Sequence, residues 1–231
     1  MDRDSDGRTM PGRAAAVRRW PEVHWPVVAA GFACALAVGV VVALVVQATG
    51  DWARGLAWER ALLLSLDTTL PAWADVALVA LPWFGTNYTL LPIVLAASAW
   101  LWFRTPHRDV ALRLLVVQLG SLALNLALKG LFDRPRPALW PKRGQFALAS
   151  YPSGHAIASV AVLLTVALLL LRAGRRALAA LVAAFVLLSL YSRLYLGVHW
   201  PTDVLGGVAV GSIWLWATTK GFAAAERDES R

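Results

Sequence analysis

The stretch from Pro26 to Ala48 contains no charged side chain. An α-helix rises 1.5 Å per residue, so about 20 apolar residues cross the hydrocarbon core of a bilayer. The run is too long for a signal-peptide core, and no small-residue cleavage site follows it, so it reads as an uncleaved first span. Five further apolar runs follow, roughly Tyr88–Phe103, Val110–Leu131, Ala156–Leu171, Ala177–Tyr195 and Val204–Thr218. Several are short on apolar count alone and gain a turn from their flanks. The expected fold is all-α, a polytopic membrane helical bundle of about six transmembrane helices in a lipid bilayer. Composition agrees, because 58% of the 231 residues are hydrophobic and only 16% are charged, more apolar surface than a soluble domain this small can bury. The stretch from Asp51 to Phe84 is apolar but carries Arg54, Glu59, Arg60, Asp67 and Asp75 with Pro71 and Pro82. It reads as one or two interfacial helices, or as an extension of the second span.

The net charge of +8 would suggest nucleic acid in a soluble protein. In a membrane chain it marks cytoplasmic loops and an anionic lipid surface, so no nucleic-acid partner is expected. Arg3, Arg8, Arg13, Arg18 and Arg19 precede the first span. Arg104, Arg108 and Arg113, then Arg172, Arg175 and Arg176, then Lys220, Arg227 and Arg231 fall at alternate turns. The positive-inside rule therefore places both termini in the cytoplasm, with residues 1–24 as a disordered tail and residues 221–231 as a second tail. Trp25, Trp52, Trp73, Trp102 and Trp140 sit at the edges of apolar runs, where an interfacial belt would place them. The single cysteine, Cys34, lies inside an apolar run, which excludes disulfides and cysteine metal sites.

Basic residues on the opposite face, mainly Lys129, Arg134, Arg136, Lys142, Arg143 and Arg193, lie in the segments that also hold two of the four histidines. At Lys129–Pro137, basic residues at a helix end serve commonly as snorkelling anchors. Prolines alternating with Arg134 and Arg136 stiffen the chain, however, and forked guanidinium donors suit a phosphate dianion. Tyr151-Pro152-Ser153-Gly154-His155 reads plainly as a helix N-cap at Ser153 or Pro152. The same helix start supplies free N–H groups to an anion, with Gly154 permitting close approach. In the third cluster, Ser192–Asp203, Pro201 suits the first position of the last span. Asp203 in the first turn can then reach back to an imidazole N–H of His199, fixing its tautomer. The bland account makes His199 and Trp200 interfacial residues and Asp203 a cap. Taken jointly, on one face, the clusters supply a nucleophile, an orienter, an acid–base histidine and several phosphate donors. His24 and His107, in cytoplasmic segments, read as ordinary polar residues. One well-placed carboxylate is too few for a hard cation, so no metal and no other cofactor is expected.

Lys129 to Pro137 fits K-x6-R-P, Pro152 to His155 is P-S-G-H, and Ser192 to Asp203 is S-R-x5-H-x3-D. In these motifs the chain resembles the type 2 phosphatidic acid phosphatase superfamily, which also contains the vanadium haloperoxidases. The resemblance implies that residues 25–220 form a six-span phosphatase domain with its site on the extracytoplasmic face of the cell membrane. It implies a metal-independent hydrolase of a lipid phosphate or diphosphate acting through a phosphohistidine. His199 would be the nucleophile, Asp203 its orienter and His155 the acid and base. Lys129, Arg136, Ser153, Gly154 and Arg193 would hold the phosphate oxygens. Arg134 lies outside the motif and reads either as an outer phosphate contact or as a partner of Asp133.

A transporter would carry charges inside its spans, whereas these are nearly charge-free between their ends. The nearest alternative is a phosphotransferase that passes the same phosphate to another acceptor. Phosphatidate, phosphatidylglycerol phosphate and a polyprenyl diphosphate all fit as membrane lipid substrates. Lys142 and Arg143, in the loop from Ala138 to Ser150, lean toward a diphosphate. They read equally as solvated loop charges.

Overall fold

A computed structural model describes residues 21–66, 71–80, 84–139 and 149–228, and these contain helices and no strand. Four of the helices are long and apolar enough to cross a membrane. They are α1 (Trp25–Ala48), α5 (Arg108–Leu131), the helix from Gly154 to Arg172, and α8 (Arg176–Tyr195). Two other long helices, α4 (Asn87–Arg104) and α9 (Pro201–Asp228), pack beside them, α4 against α5 and α9 against α1. Two short helices, α2 (Ala57–Leu66) and α3 (Ala72–Ala80), occupy the stretch left open between the first two spans. The helix from Gly154 to Arg172 runs as α6 (Gly154–Ala158), a π-helical turn (Ser159–Leu163) and α7 (Leu164–Arg172). Such single π turns inside α-helices are frequent at functional sites.

Where lipid surrounds helices, apolar side chains gain little by leaving it, so helix pairing relies on close van der Waals contact through small residues. The buried face of α1 is built that way, from Gly31, Ala35, Gly39 and Ala43 with Val28 and Val46. A Cβ on Gly31 would lie 2.0 Å from that of Ala217 on α9, and one on Gly39 would lie 2.6 Å from the Leu128 side chain on α5. Gly207 and Gly211 of α9 meet α6 and the π turn in the same manner. A Cβ at Gly207 would come within 2.7 Å of both Ala156 Cβ and the Ser153 carbonyl oxygen. α5 instead carries a buried polar stripe of Gln118, Ser121 and Asn125, spaced to lie on one face with Lys129.

The His24 N–H donates to the Gly221 carbonyl at 3.0 Å, so the start of α1 and the end of α9 share one end of the bundle. The α4–α5 turn lies there too, with Arg108 stacked 5.1 Å from the Trp102 ring, as does the α7–α8 turn at Gly174. The opposite end gathers the end of α1, all of α2, the end of α5, the start of α6, the end of α8 and the start of α9.

Two boundaries differ from the sequence reading. Helix α9 continues to Asp228, beyond the expected end at Thr218 and into the segment read as a tail. α2 is more than an interfacial helix, because its Glu59 is fully buried against the bundle. Most of the expected N-terminal tail lies outside the described residues, as do Trp140, Lys142 and Arg143.

Candidate active site

Helix geometry places the site residues. α5 ends at Leu131, so Lys129 sits in its last turn, and the Pro-rich segment after it is extended. That segment carries Arg134 and Arg136 across the mouth of the bundle toward the α8–α9 loop. Pro201 opens α9, and Asp203 in its first turn accepts the Trp200 N–H at 2.8 Å, the back-reach of a capping box. Asp203 is therefore a cap, as the bland reading held, and it also faces His199. Its Oδ2 lies 3.7 Å from His199 Nδ1, with the Ser150 hydroxyl beside them, donating to Oδ2 at 2.5 Å and 3.5 Å from Nδ1. The bland reading fails for Trp200, which is buried and donates its indole N–H to the Pro135 carbonyl at 2.9 Å.

Arginine carries donors and no acceptor, so its contacts assign tautomers. Arg136 Nη1 lies 3.3 Å from His199 Nε2, which must therefore be the acceptor nitrogen, leaving the ring proton on Nδ1 toward Asp203. Burial pushes the His199 pKa down to about 4, with Arg136 lowering it further and the Asp203 carboxylate opposing. The imidazole is thus neutral at physiological pH, with a lone pair on the nitrogen that faces Arg136. On the other histidine, Arg193 Nη1 lies 3.2 Å from His155 Nε2, while the Ser192 hydroxyl accepts from Arg193 Nε and Nη2 at 3.2 Å. Arg193, His199, Arg136 and Lys129 all act electrostatically on the His155 ring, so the two histidines and three cations occupy one neighbourhood. Lys129 Nζ donates to the Ala149 carbonyl, and Arg136 Nη1 to the Val198 carbonyl at 2.6 Å.

Ser153 stands at the N-cap position of α6, but its side chain makes no cap bond. Its hydroxyl is buried without a hydrogen-bond partner among the described residues, and its backbone N–H donates to the Asp203 carbonyl. Gly154 is required sterically, since a Cβ there would lie 2.8 Å from Asn125 Oδ1. Asn125 itself, one helical turn before Lys129, has a buried Oδ1 with no hydrogen-bond partner among the described residues. The structure therefore brings together every residue that the motifs singled out: Lys129, Arg136, Ser153, Gly154, His155, Arg193, His199 and Asp203. Among the described residues no three His, Cys, Asp or Glu side chains group as metal ligands.

Arg134 is where the sequence reading is corrected. Asp133 is exposed, and Arg134, with no exposed surface, points away from it into the bundle. Its Nη1 donates to Asp203 Oδ1 and Thr202 Oγ1, both at 2.7 Å, its Nη2 to Glu59 Oε2 at 2.9 Å, and its Nε to the Trp52 carbonyl at 2.9 Å. The guanidinium is clamped between the rings of Trp52 and Trp200, at 4.9 and 5.5 Å. Trp52 is thus half-buried packing and not simply a belt residue, whereas Trp25 and Trp73 are exposed. Glu59, Ser150, Thr202 and Asn125 escaped sequence reasoning altogether. The one available signal was a carboxylate three residues past a helix start, at Glu59 as at Asp203: Glu59 Oε2 accepts the Leu56 N–H at 2.8 Å.

A family model described as the PAP2 superfamily matches residues 110–227, just over half of the chain. The chain belongs to the PAP2 superfamily. The matched segment holds all three motifs, while Trp52 and Glu59 lie outside it. Within this superfamily the chain is 31% identical over 156 residues to phosphatidylglycerophosphatase B of Bacillus subtilis, covering 65% of this chain and 75% of that protein. It is 31% identical over 143 residues to an undecaprenyl-diphosphatase of Sulfolobus acidocaldarius, covering 58% of this chain and 64% of that one. The crystal structure of a transmembrane PAP2-type phosphatidylglycerolphosphate phosphatase from Bacillus subtilis matches with a TM-score of 0.68 at 23% identity, over 86% of this chain and 96% of that one. The all-helical PAP2 membrane fold is therefore shared.

Proposed function

We propose that this PAP2 protein is an integral membrane phosphatase that hydrolyses a lipid phosphate or lipid diphosphate through a phosphohistidine on His199. The observation that carries the reading is the convergence at one end of the bundle. An oriented imidazole with Nε2 toward Arg136 shares one neighbourhood with Lys129, Arg193, the second histidine and a buried Ser153 hydroxyl that has no partner among the described residues. In the first step His199 Nε2 attacks phosphorus, forming the P–N bond as the P–O bond to the leaving group breaks. His155, protonated on Nε2 once substrate displaces the Arg193 N–H that contacts it there, supplies that oxygen's proton. In the second step His155 removes a proton from water, the new P–O bond forms and the P–N bond breaks, restoring His199. Lys129, Arg136, Arg193, the Ser153 hydroxyl and the Gly154 N–H stabilise charge on the equatorial oxygens. A phosphate oxygen takes over the Arg136 N–H that contacts Nε2, freeing the lone pair for attack. Those three cations supply the positive charge that a metal provides in other phosphatases.

Six spans complete the topology, with α4 and α9 joining the four helices that are long and apolar enough to cross a membrane and residues 25–220 forming the phosphatase domain. Arg104, Arg108, Arg172, Arg175, Arg176 and Lys220 lie at the end away from the site, which supports cytoplasmic termini and an extracytoplasmic active site. The relatives act on a glycerophospholipid phosphate and on a polyprenyl diphosphate, and both classes fit here. The test is phosphate release by purified protein in detergent from phosphatidate, phosphatidylglycerol phosphate and undecaprenyl diphosphate. Release from at least one lipid should survive EDTA and be blocked by vanadate. Silence on all three, or a requirement for added magnesium, would overturn the proposal.

A further inference from the structure

We propose that Glu59 and Arg134 are positioning residues for the nucleophile, acting on His199 through Asp203. The inference rests on the reading of His199 as nucleophile and extends it to groups in no motif. The carboxylate of Asp203 has two oxygens with different duties. Oδ1 takes the Arg134 Nη1 donor at 2.7 Å, while Oδ2 takes Ser150 and the Trp200 N–H and faces His199 Nδ1. Pinning Oδ1 fixes the rotation of the carboxylate and so holds Oδ2 toward the imidazole.

Arg134 can do this because it cannot turn. Two indole rings hold its plane, and Glu59 holds the far arm of the fork at 2.9 Å. Glu59 is tied in turn to the helix that carries Asp203, since its Oε1 accepts the Thr202 N–H at 3.0 Å and the Thr202 hydroxyl at 2.6 Å. Glu59, Arg134 and Asp203 are all fully buried, so solvent does not screen them. Charge follows the same logic. A guanidinium paired with Asp203 alone would cancel the negative charge that the imidazole needs as Nε2 forms its bond to phosphorus. A second carboxylate on the other arm leaves the three-residue unit with one net negative charge, and Asp203 presents it to Nδ1. Removal of the Glu59 charge should therefore slow formation of the phosphoenzyme with little effect on lipid binding.

The test is a double-mutant cycle on the full-length protein, with Glu59→Gln, Asp203→Asn and the pair, read by rapid quench for acid-labile phosphoenzyme and by steady-state rates. Glu59→Gln should lower kcat by about 10–100-fold, the usual range for partners of a directly acting group, and leave KM nearly unchanged. The pair should be no slower than Asp203→Asn alone, because Glu59 has no route to His199 once the carboxylate is gone. Two independent losses that multiply would show a merely structural role and overturn the proposal, as would a Glu59→Gln enzyme with unchanged kcat. If Glu59→Gln does not accumulate, Arg134→Lys replaces it in the cycle under the same two criteria. Lysine keeps the charge but loses the fork. Absence of phosphoenzyme in the unsubstituted protein would instead remove the histidine mechanism itself, an outcome distinct from either result of the cycle.

Discussion

The two histidines are held by different arginines, and their proposed duties can be separated by substitution. His199→Ala has no atom to bond to phosphorus, so turnover should fall to background on every substrate and no phosphoenzyme should be trapped. His155→Ala should lose about 10²–10⁴-fold on a lipid monoester, the usual share of general acid catalysis. The loss should be clearly smaller on p-nitrophenyl phosphate, whose leaving group is stable without a proton. Rates for both variants on both substrates decide this, and leaving-group sensitivity at His199 in place of His155 would reverse the assignment. At this scale most of the site was legible, because its motifs sit at helix ends where Pro, Ser, Gly and Asp carry local signals. Arg134 does not pair with Asp133, one of its two readings, for a physical reason. Its neighbour Asp133 is one residue away, while its true partners Asp203 and Glu59 are 69 and 75 residues away, and only folding brings them into bonding distance. Breaking such a buried ion pair typically costs about 3–5 kcal/mol, so these distant contacts matter as much as the local ones.

At the scale of elements, the site depends on how closely α9 approaches α6. Ser153 donates its backbone N–H to the Asp203 carbonyl across that contact, so the proposed phosphate loop and the proposed orienter share one seam. Gly207 allows the approach, and Gly207→Val should push the helices apart, since overpacking typically costs about 1–3 kcal/mol. The expected outcome is a fall in kcat of tenfold or more, on the order of that energy, with a lower thermal midpoint in detergent. Gly130→Ala is the control, because nothing lies within 4 Å of a Cβ there, and it should leave both unchanged. A Gly207→Val enzyme indistinguishable from the parent would show that the seam does not set the site. The long helices were legible from apolar run length to within a few residues at most ends. The role of α2 was not, because its charged residues masked a helix with one buried face, and hydropathy cannot tell an interfacial charge from an internal one.

At the scale of the molecule, the bundle has one end that carries the chemistry and one that carries both described termini. The proposed orientation predicts the labelling of single cysteines by a membrane-impermeant thiol reagent in intact cells. After Cys34→Ala, a cysteine at exposed Ala138 should react and one at exposed Ala173 should not until the cells are opened. The opposite pattern would turn the active site toward the cytoplasm. The bond from the His24 N–H to the Gly221 carbonyl bears on how the chain is made. The small-residue face of α1 is synthesised long before its main partner, α9, which begins at Pro201. Trp52 and Glu59 wait as well, since Arg134, Trp200 and Thr202 must all be made before their contacts close. Until then the packing faces of α1 and α2 lack the partners they have in the folded bundle. Closure of α1 on α9 therefore comes late in synthesis, and a ribosome that stalls before α9 leaves a chain with neither a completed bundle nor the Asp203 that faces the imidazole.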